Sequence, residues 1–193
     1  MQELLKLLPV YKLKEIERRN RVHLSTGGKR FESSAEHSWS MMVLADFLLL
    51  TFEIDVDRLK VYELISYHDL VESYSGDFPL DPSVSGGEVS RDELERQAFE
   101  KLCLDLPLVL VEKYRLLHME YLLQKTVESR FVKIVDVLDP IVQALDHKDD
   151  WKGWSVEFLR SKKRCYFEYF PKILGLFDDL LVYVEEEEYF PFE

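Results

Sequence analysis

Apolar positions recur along most of this chain at the spacing of one helix face rather than in the alternation of a strand. The first such run, Leu4, Leu5, Leu7, Leu8, Tyr11 and Ile16, predicts an opening helix to about Arg19, interrupted near Pro9. Residues 20–30 carry no period and include Ser25-Thr-Gly-Gly28, a turn signal. Ser33-Ser-Ala-Glu36 has the spacing of a capping box and predicts a helix to about Phe52 with Met41, Leu44, Ala45 and Leu48 inside. Asp55 or Asp57 is placed to cap the next helix, read as continuing through His68, Asp69 and Glu72.

Residues 73–87 form the longest loop candidate, the kind of segment often used for binding. Ser90-Arg-Asp-Glu93 predicts a helix to about Leu106, and Pro107 restarts the chain into another over residues 108–123. Thr126 is placed to cap a helix containing Asp136, with Pro140 inside its pattern. Residues 154–170 and 172–187 read as two closing helices, and Leu181-Val-Tyr-Val184 is the one ambiguous strand signal. The expectation is an all-α fold: one compact unit over residues 1–150, with C-terminal helices over 151–193 packing on it.

Composition agrees. Hydrophobic residues are 47% and aromatics 13% of 193 residues, enough for a sizeable core, and Gly and Pro are scarce at 7 each. A formal charge of −12 makes a general nucleic-acid backbone binder a poor reading, though a small phosphorylated ligand remains open to a pocket with its own local cations. Cys103 and Cys165 have no metal-type spacing and read as two buried, reduced thiols. No signal pattern and no apolar stretch long enough for a bilayer stand out, which predicts a cytoplasmic protein.

Chemistry concentrates in three places. His37 opens the helix after Ser33; His68, Asp69 and Glu72 follow on the next; Asp136 stands alone in Ile134-Val-Asp-Val-Leu138. Two imidazoles and two carboxylates make a plausible shell for a divalent transition metal such as Mn, Co, Fe, Ni or Zn. Glu72, beside it, has the chemistry of a proton carrier. Each residue also has a plainer reading: His37 as a surface or hydrogen-bonded histidine, and Asp136 as a helix-face carboxylate paired with Lys133 or Arg130.

The motifs themselves resemble a known family. Arg30-Phe-Glu-Ser-Ser-Ala-Glu-His37, then His68-Asp-Leu-Val-Glu72 with Gly76-Asp77, then Val132-Lys-Ile-Val-Asp136-Val-Leu138, are similar to the motifs of HD-domain phosphohydrolases, most closely the 5'-deoxynucleotidase branch. The resemblance covers roughly residues 1–140. It implies His37, His68, Asp69 and Asp136 as metal ligands and Glu72 as the catalytic acid or base. It implies Asp77 facing the sugar and Arg21, together with Arg30, neutralising phosphate. That branch often has Trp near the upstream arginine, whereas Val22 follows Arg21 here.

The activity so implied is phosphate removal from nucleoside 5'-monophosphates, with a small nucleotide as partner and a homodimer as the implied assembly. Two alternatives stand beside it. One is hydrolysis of an alarmone-like phosphate ester, against which Ser73 follows Glu72 where an acid is usual. The other is a non-enzymatic ligand-binding protein that kept the fold.

Overall fold

The structure is a computed structural model that describes residues 1–77 and 90–190. Ten α-helices and one two-stranded ribbon make up the described regular structure, beside short 3-10 turns. The opening helix expected to run to residue 19 is instead two single turns, α1 (Gln2–Leu5) and α2 (Leu8–Tyr11), followed by a 3-10 turn at Lys12–Lys14. None of the residues of α1 or α2 is buried, so there is no packing to extend them.

The chain then forms an antiparallel ribbon, β1 (Glu17–His23) and β2 (Lys29–Ser33), which the sequence did not announce. Glu-Arg-Arg-Asn-Arg-Val-His has no apolar alternation, because the ribbon lies at the surface of the helical body. Only its end is buried, at Glu32 and Ser33. The pairing is regular at Arg21–Phe31, Val22–Arg30 and His23–Lys29 but shifts between Glu17 and Arg21. Such irregularities re-aim side chains, and Arg18 lies within this one.

Ser33 ends the ribbon and caps α3 (Ser34–Phe52). Its hydroxyl accepts from the Glu36 amide while Glu36 receives the Ser33 amide, the reciprocal box read from the sequence. The buried face of α3 runs His37, Met41, Ala45, Leu48 and Leu49, so the histidine is part of the core stripe. Asp57 caps α4 (Arg58–Tyr67) by accepting from the Lys60 amide. Here the chain departs from expectation again. α4 stops at Tyr67, the chain turns at Asp69–Val71, and Glu72 begins a separate single turn, α5 (Glu72–Ser75). His68, Asp69 and Glu72 therefore sit on a corner rather than along one helix face.

Of the 73–87 loop candidate, residues 78–87 lie outside the described residues. Ser90 caps α6 (Arg91–Asp105), and α7 (Leu108–Leu123) follows Pro107. α8 (Val127–Ala144), capped by Thr126, is the central element: Phe131, Val132, Ile134, Val135, Val137, Leu138 and Ile141 are all buried, and it packs against α3, α4 and α7. Pro140 lies within it without ending it.

The expected helix over residues 154–170 is shorter, α9 (Val156–Lys163), and passes into a 3-10 turn at Arg164–Phe167. α10 (Pro171–Glu186) closes the described chain and takes in Leu181–Val184, so that ambiguous run is helical. The main core joins Met41, Leu64, Phe131 and Leu138 to Trp151, Phe167, Phe177 and Leu181, so the C-terminal helices share it with the rest. The all-α expectation holds for the body of the protein. No helix among the described residues is long and apolar enough to cross a membrane. The two cysteines are unpaired, but only Cys103 is buried; Cys165 is exposed, contrary to expectation.

Candidate metal and phosphate site

The core stripes of α3 and α8 bring His37 against Asp136 and Asp139. The His37 ring is fully buried, with Nε2 3.2 Å from Asp136 Oδ1 and Nδ1 2.8 Å from Asp139 Oδ2. Burial alone would lower the His37 pKa, yet its hydrogen bonds to Asp136 and Asp139 push it up to about 10. The Ser40 hydroxyl donates to the same Asp139 oxygen at 3.0 Å, anchoring that carboxylate.

His68 arrives from the α4 corner. Its Nδ1 lies 2.8 Å from the carbonyl of Ile65, so that nitrogen carries the proton and Nε2 presents a lone pair. Nε2 is buried and has no hydrogen-bond partner. One ligand atom from each of His37, His68 and Asp136 lies within 4.8 Å of the others. An unshared lone pair in a buried position is costly unless something electron-poor meets it, and a divalent cation fits this set of donors.

Asp69 borders this trio rather than joining it. Its Oδ2 is 3.0 Å from His68 Nε2 and 3.3 Å from Arg18 Nη1. Burial works to raise the Asp69 pKa, but the neighbouring His68 and His37 side chains hold it below the usual range. Asp136 Oδ2 is held from the far side by the Tyr121 hydroxyl at 2.6 Å and the Lys133 ammonium at 2.7 Å. The plainer reading of Asp136, a carboxylate paired with Lys133, is thus also true. One oxygen pairs with Lys133 while the other faces His37.

Glu72 stands next to this group. The hydroxyl of fully buried Ser34 donates to its Oε2 at 2.6 Å. Burial, with the negative fields of Asp69 and Asp77, pushes its pKa up to about 9. Asp77 therefore lies close enough to act on both Glu72 and Arg18.

The two arginines named from the sequence are elsewhere. Arg21 donates to Asp150 at 3.0 Å, and His23 sits 3.2 Å from the same carboxylate. Arg30 is exposed and pairs with Glu36, whose pKa it draws down to about 2. Besides Lys133, the structure brings Arg18 to the cluster, reaching Asp69 and lying 3.6 Å from Glu32. Buried Glu32 is pushed up to about 7 by desolvation. The half-buried Lys163 of α9 adds positive charge in the field of Asp136, Lys133 and Arg18, its own pKa lowered by burial.

Sequence reasoning missed Arg18, Glu32, Ser34, Tyr121, Asp139 and Lys163. For Asp139 a signal existed: it is a second carboxylate three residues after Asp136 in the same apolar run, hence on the same face. Arg18 could not be chosen over Arg19 and Arg21 without knowing that a ribbon with an irregular register carries them.

The HD domain family matches residues 10–172. The chain belongs to that family. A relative called 5'-deoxynucleotidase HDDC2 from Xenopus laevis is 31% identical over 118 residues, 61% of this chain and 56% of that protein, so this chain spans just over half of its length. The 5'-deoxynucleotidase HDDC2 of Danio rerio is 30% identical over 154 residues, 79% of this chain and 74% of that protein. Among solved structures, a predicted metal-dependent phosphohydrolase from Magnetospirillum magnetotacticum superposes with a TM-score of 0.79 at 27% identity, covering 98% of this chain and 94% of its own.

Proposed function

We propose that this HD-domain chain is a metal-dependent phosphohydrolase that removes phosphate from nucleoside 5'-monophosphates. The observation that carries the reading is the buried Nε2 of His68, which makes no hydrogen bond although Asp69 Oδ2 lies 3.0 Å away, converging with His37 and Asp136 within 4.8 Å, beside the Arg18 guanidinium. The names of the relatives, 5'-deoxynucleotidase among them, support the same reading.

His37, His68 and Asp136 would hold one divalent ion, with Asp69 at its border. The ion would lower the pKa of water and polarise a phosphoryl oxygen. Arg18 binds the phosphate as a planar donor fork, held in place by Asp69 and Glu32. Glu72, protonated near neutral pH by virtue of its burial, is poised to give a proton to the leaving sugar oxygen, with Ser34 fixing its carboxyl group. Asp77, in the field of Glu72 and Arg18, faces the sugar. Lys133 and Tyr121 orient Asp136 and do not themselves meet substrate.

The test is phosphate release from a panel of nucleoside 5'-monophosphates, ribo and deoxy, with Mn, Co, Ni, Zn or Mg added, beside Glu72→Ala. Metal-dependent release that vanishes in the variant supports the reading. Release that is unchanged by chelation or by the substitution overturns it.

A further inference from the structure

A separate cavity of about 390 Å³ opens where α8 meets the segment between α9 and α10. Arg130 and Lys133 line it from α8, three residues apart and so on one face. Tyr166 and Tyr169 line it from the facing segment. The Arg130 guanidinium stands 4.5 Å from the Tyr169 ring centroid, and the Lys133 ammonium 5.6 Å from that of Tyr166. Arg130 Nε donates to the Gln124 carbonyl at 2.8 Å, which fixes the plane of the fork and leaves its terminal nitrogens to other acceptors. Among the described residues no carboxylate forms an ion pair with Arg130.

Two cations on one wall, one of them without an ion-pair partner, ask for an anion. The size suits a small organic ligand rather than a bare ion. The tyrosine faces offer stacking for a flat ring, and exposed Glu168 on the same wall accepts hydrogen bonds from amino or hydroxyl groups.

We propose that this cavity is a second, non-catalytic site for a nucleoside phosphate, with the phosphate on Arg130 and Lys133 and the base against the tyrosine rings. Lys133 couples it to the metal and phosphate site, because the same ammonium holds Asp136 Oδ2 at 2.7 Å. An anion in the cavity competes for that ammonium, so its occupancy is felt by the carboxylate facing His37.

Cys165 lines the cavity and is exposed, whereas Cys103 is buried, so alkylation of Cys165 reports occupancy without reference to catalysis. The experiment measures the rate of Cys165 alkylation by iodoacetamide with and without a non-hydrolysable phosphonate analogue of AMP. It compares the wild type, Arg130→Gln, Tyr169→Ala and Arg18→Gln. At about nine times its Kd the analogue is expected to slow alkylation roughly tenfold in wild type, since only the free fraction reacts. Protection should persist in Arg18→Gln and be lost in Arg130→Gln, with Tyr169→Ala intermediate. No protection in wild type, or protection that survives Arg130→Gln, overturns the site. Loss in Arg18→Gln as well would mean that one ligand spans both places, and would overturn a separate site. Phosphate release does not enter the readout, so failure here is distinct from failure of the catalytic reading.

Discussion

Asp139 lies behind His37, its Oδ2 2.8 Å from Nδ1, and so decides which nitrogen of the ring faces Asp136 and His68. With Nδ1 protonated toward Asp139, Nε2 is left as the donor to a metal. Asp139→Asn removes the charge that supports this tautomer. It should weaken metal affinity by roughly 10–100-fold, as loss of outer-shell partners does. Calorimetric titration of the chelated protein with Mn or Co checks it, and an unchanged affinity would remove Asp139 from this role.

Glu72→Gln keeps the shape of the side chain and the Ser34 contact while removing the transferable proton. The turnover rate on a nucleoside 5'-monophosphate should fall by about 10²–10⁴-fold, the usual weight of a positioned acid or base. Metal content, measured by elemental analysis of the purified variant, should stay at the wild-type level.

Arg18 and Arg21 make opposite predictions. Arg18→Gln takes away a charge-assisted fork and should lower kcat/KM by roughly 10–100-fold, on the scale of a lost hydrogen bond to a charged group. Arg21→Gln breaks a half-exposed pair with Asp150 and should leave kcat/KM close to wild type. Equal losses in both would put the phosphate between them and contradict the assignment.

These two arginines also mark how far the sequence could be read. The helix starts at Ser33, Asp57, Ser90 and Thr126 were legible because each cap is a local hydrogen bond between a side chain and an amide a few residues on. Asp136 was legible as a carboxylate within an apolar run, and His37, His68, Asp69 and Glu72 through their motif spacing and its family resemblance; the structure brings these side chains near one another. The α4 corner was not, since the turn at Asp69–Val71 contains no Gly or Pro. Nor was the ribbon, whose strands bury too little to impose a pattern. The choice among Arg18, Arg19 and Arg21 follows from the ribbon, and it was lost with it.

In metal-stripped protein the raised pKa values of Glu72, about 9, and Glu32, about 7, carry a pH dependence. Both carboxyls stay protonated when folded at pH values where the unfolded chain ionises. The folded state therefore holds more protons, and stability falls as pH rises from about 4.5 toward 9. Thermal unfolding of the chelated protein should show Tm declining between pH 5 and pH 9, roughly the window set by these shifts. Glu72→Gln should flatten that decline; an unaltered slope would show that Glu72 ionises freely in the fold.

Trp151 is fully buried where the C-terminal region joins α8, and its indole Nε1 donates to the Ala144 carbonyl at 2.7 Å. Its ring meets Trp154, Tyr189 and Phe190 edge to face. Trp151→Ala leaves a large void and removes one of two donors to the Ala144 carbonyl, which keeps the His147 amide, and should cost about 3–5 kcal/mol. Urea unfolding measures this directly.

The ribbon is stitched to α8 at two points. The Asn20 amide donates to the Pro140 carbonyl at 3.0 Å, and the Gln143 amide donates to the Arg21 carbonyl at 3.0 Å. The strand that carries Arg18, the arginine proposed to meet phosphate, is thus fastened to the helix that supplies Asp136. Arg18 waits already aimed, so an arriving anion surrenders little orientational freedom on the protein's side, and affinity is not spent on assembling the site.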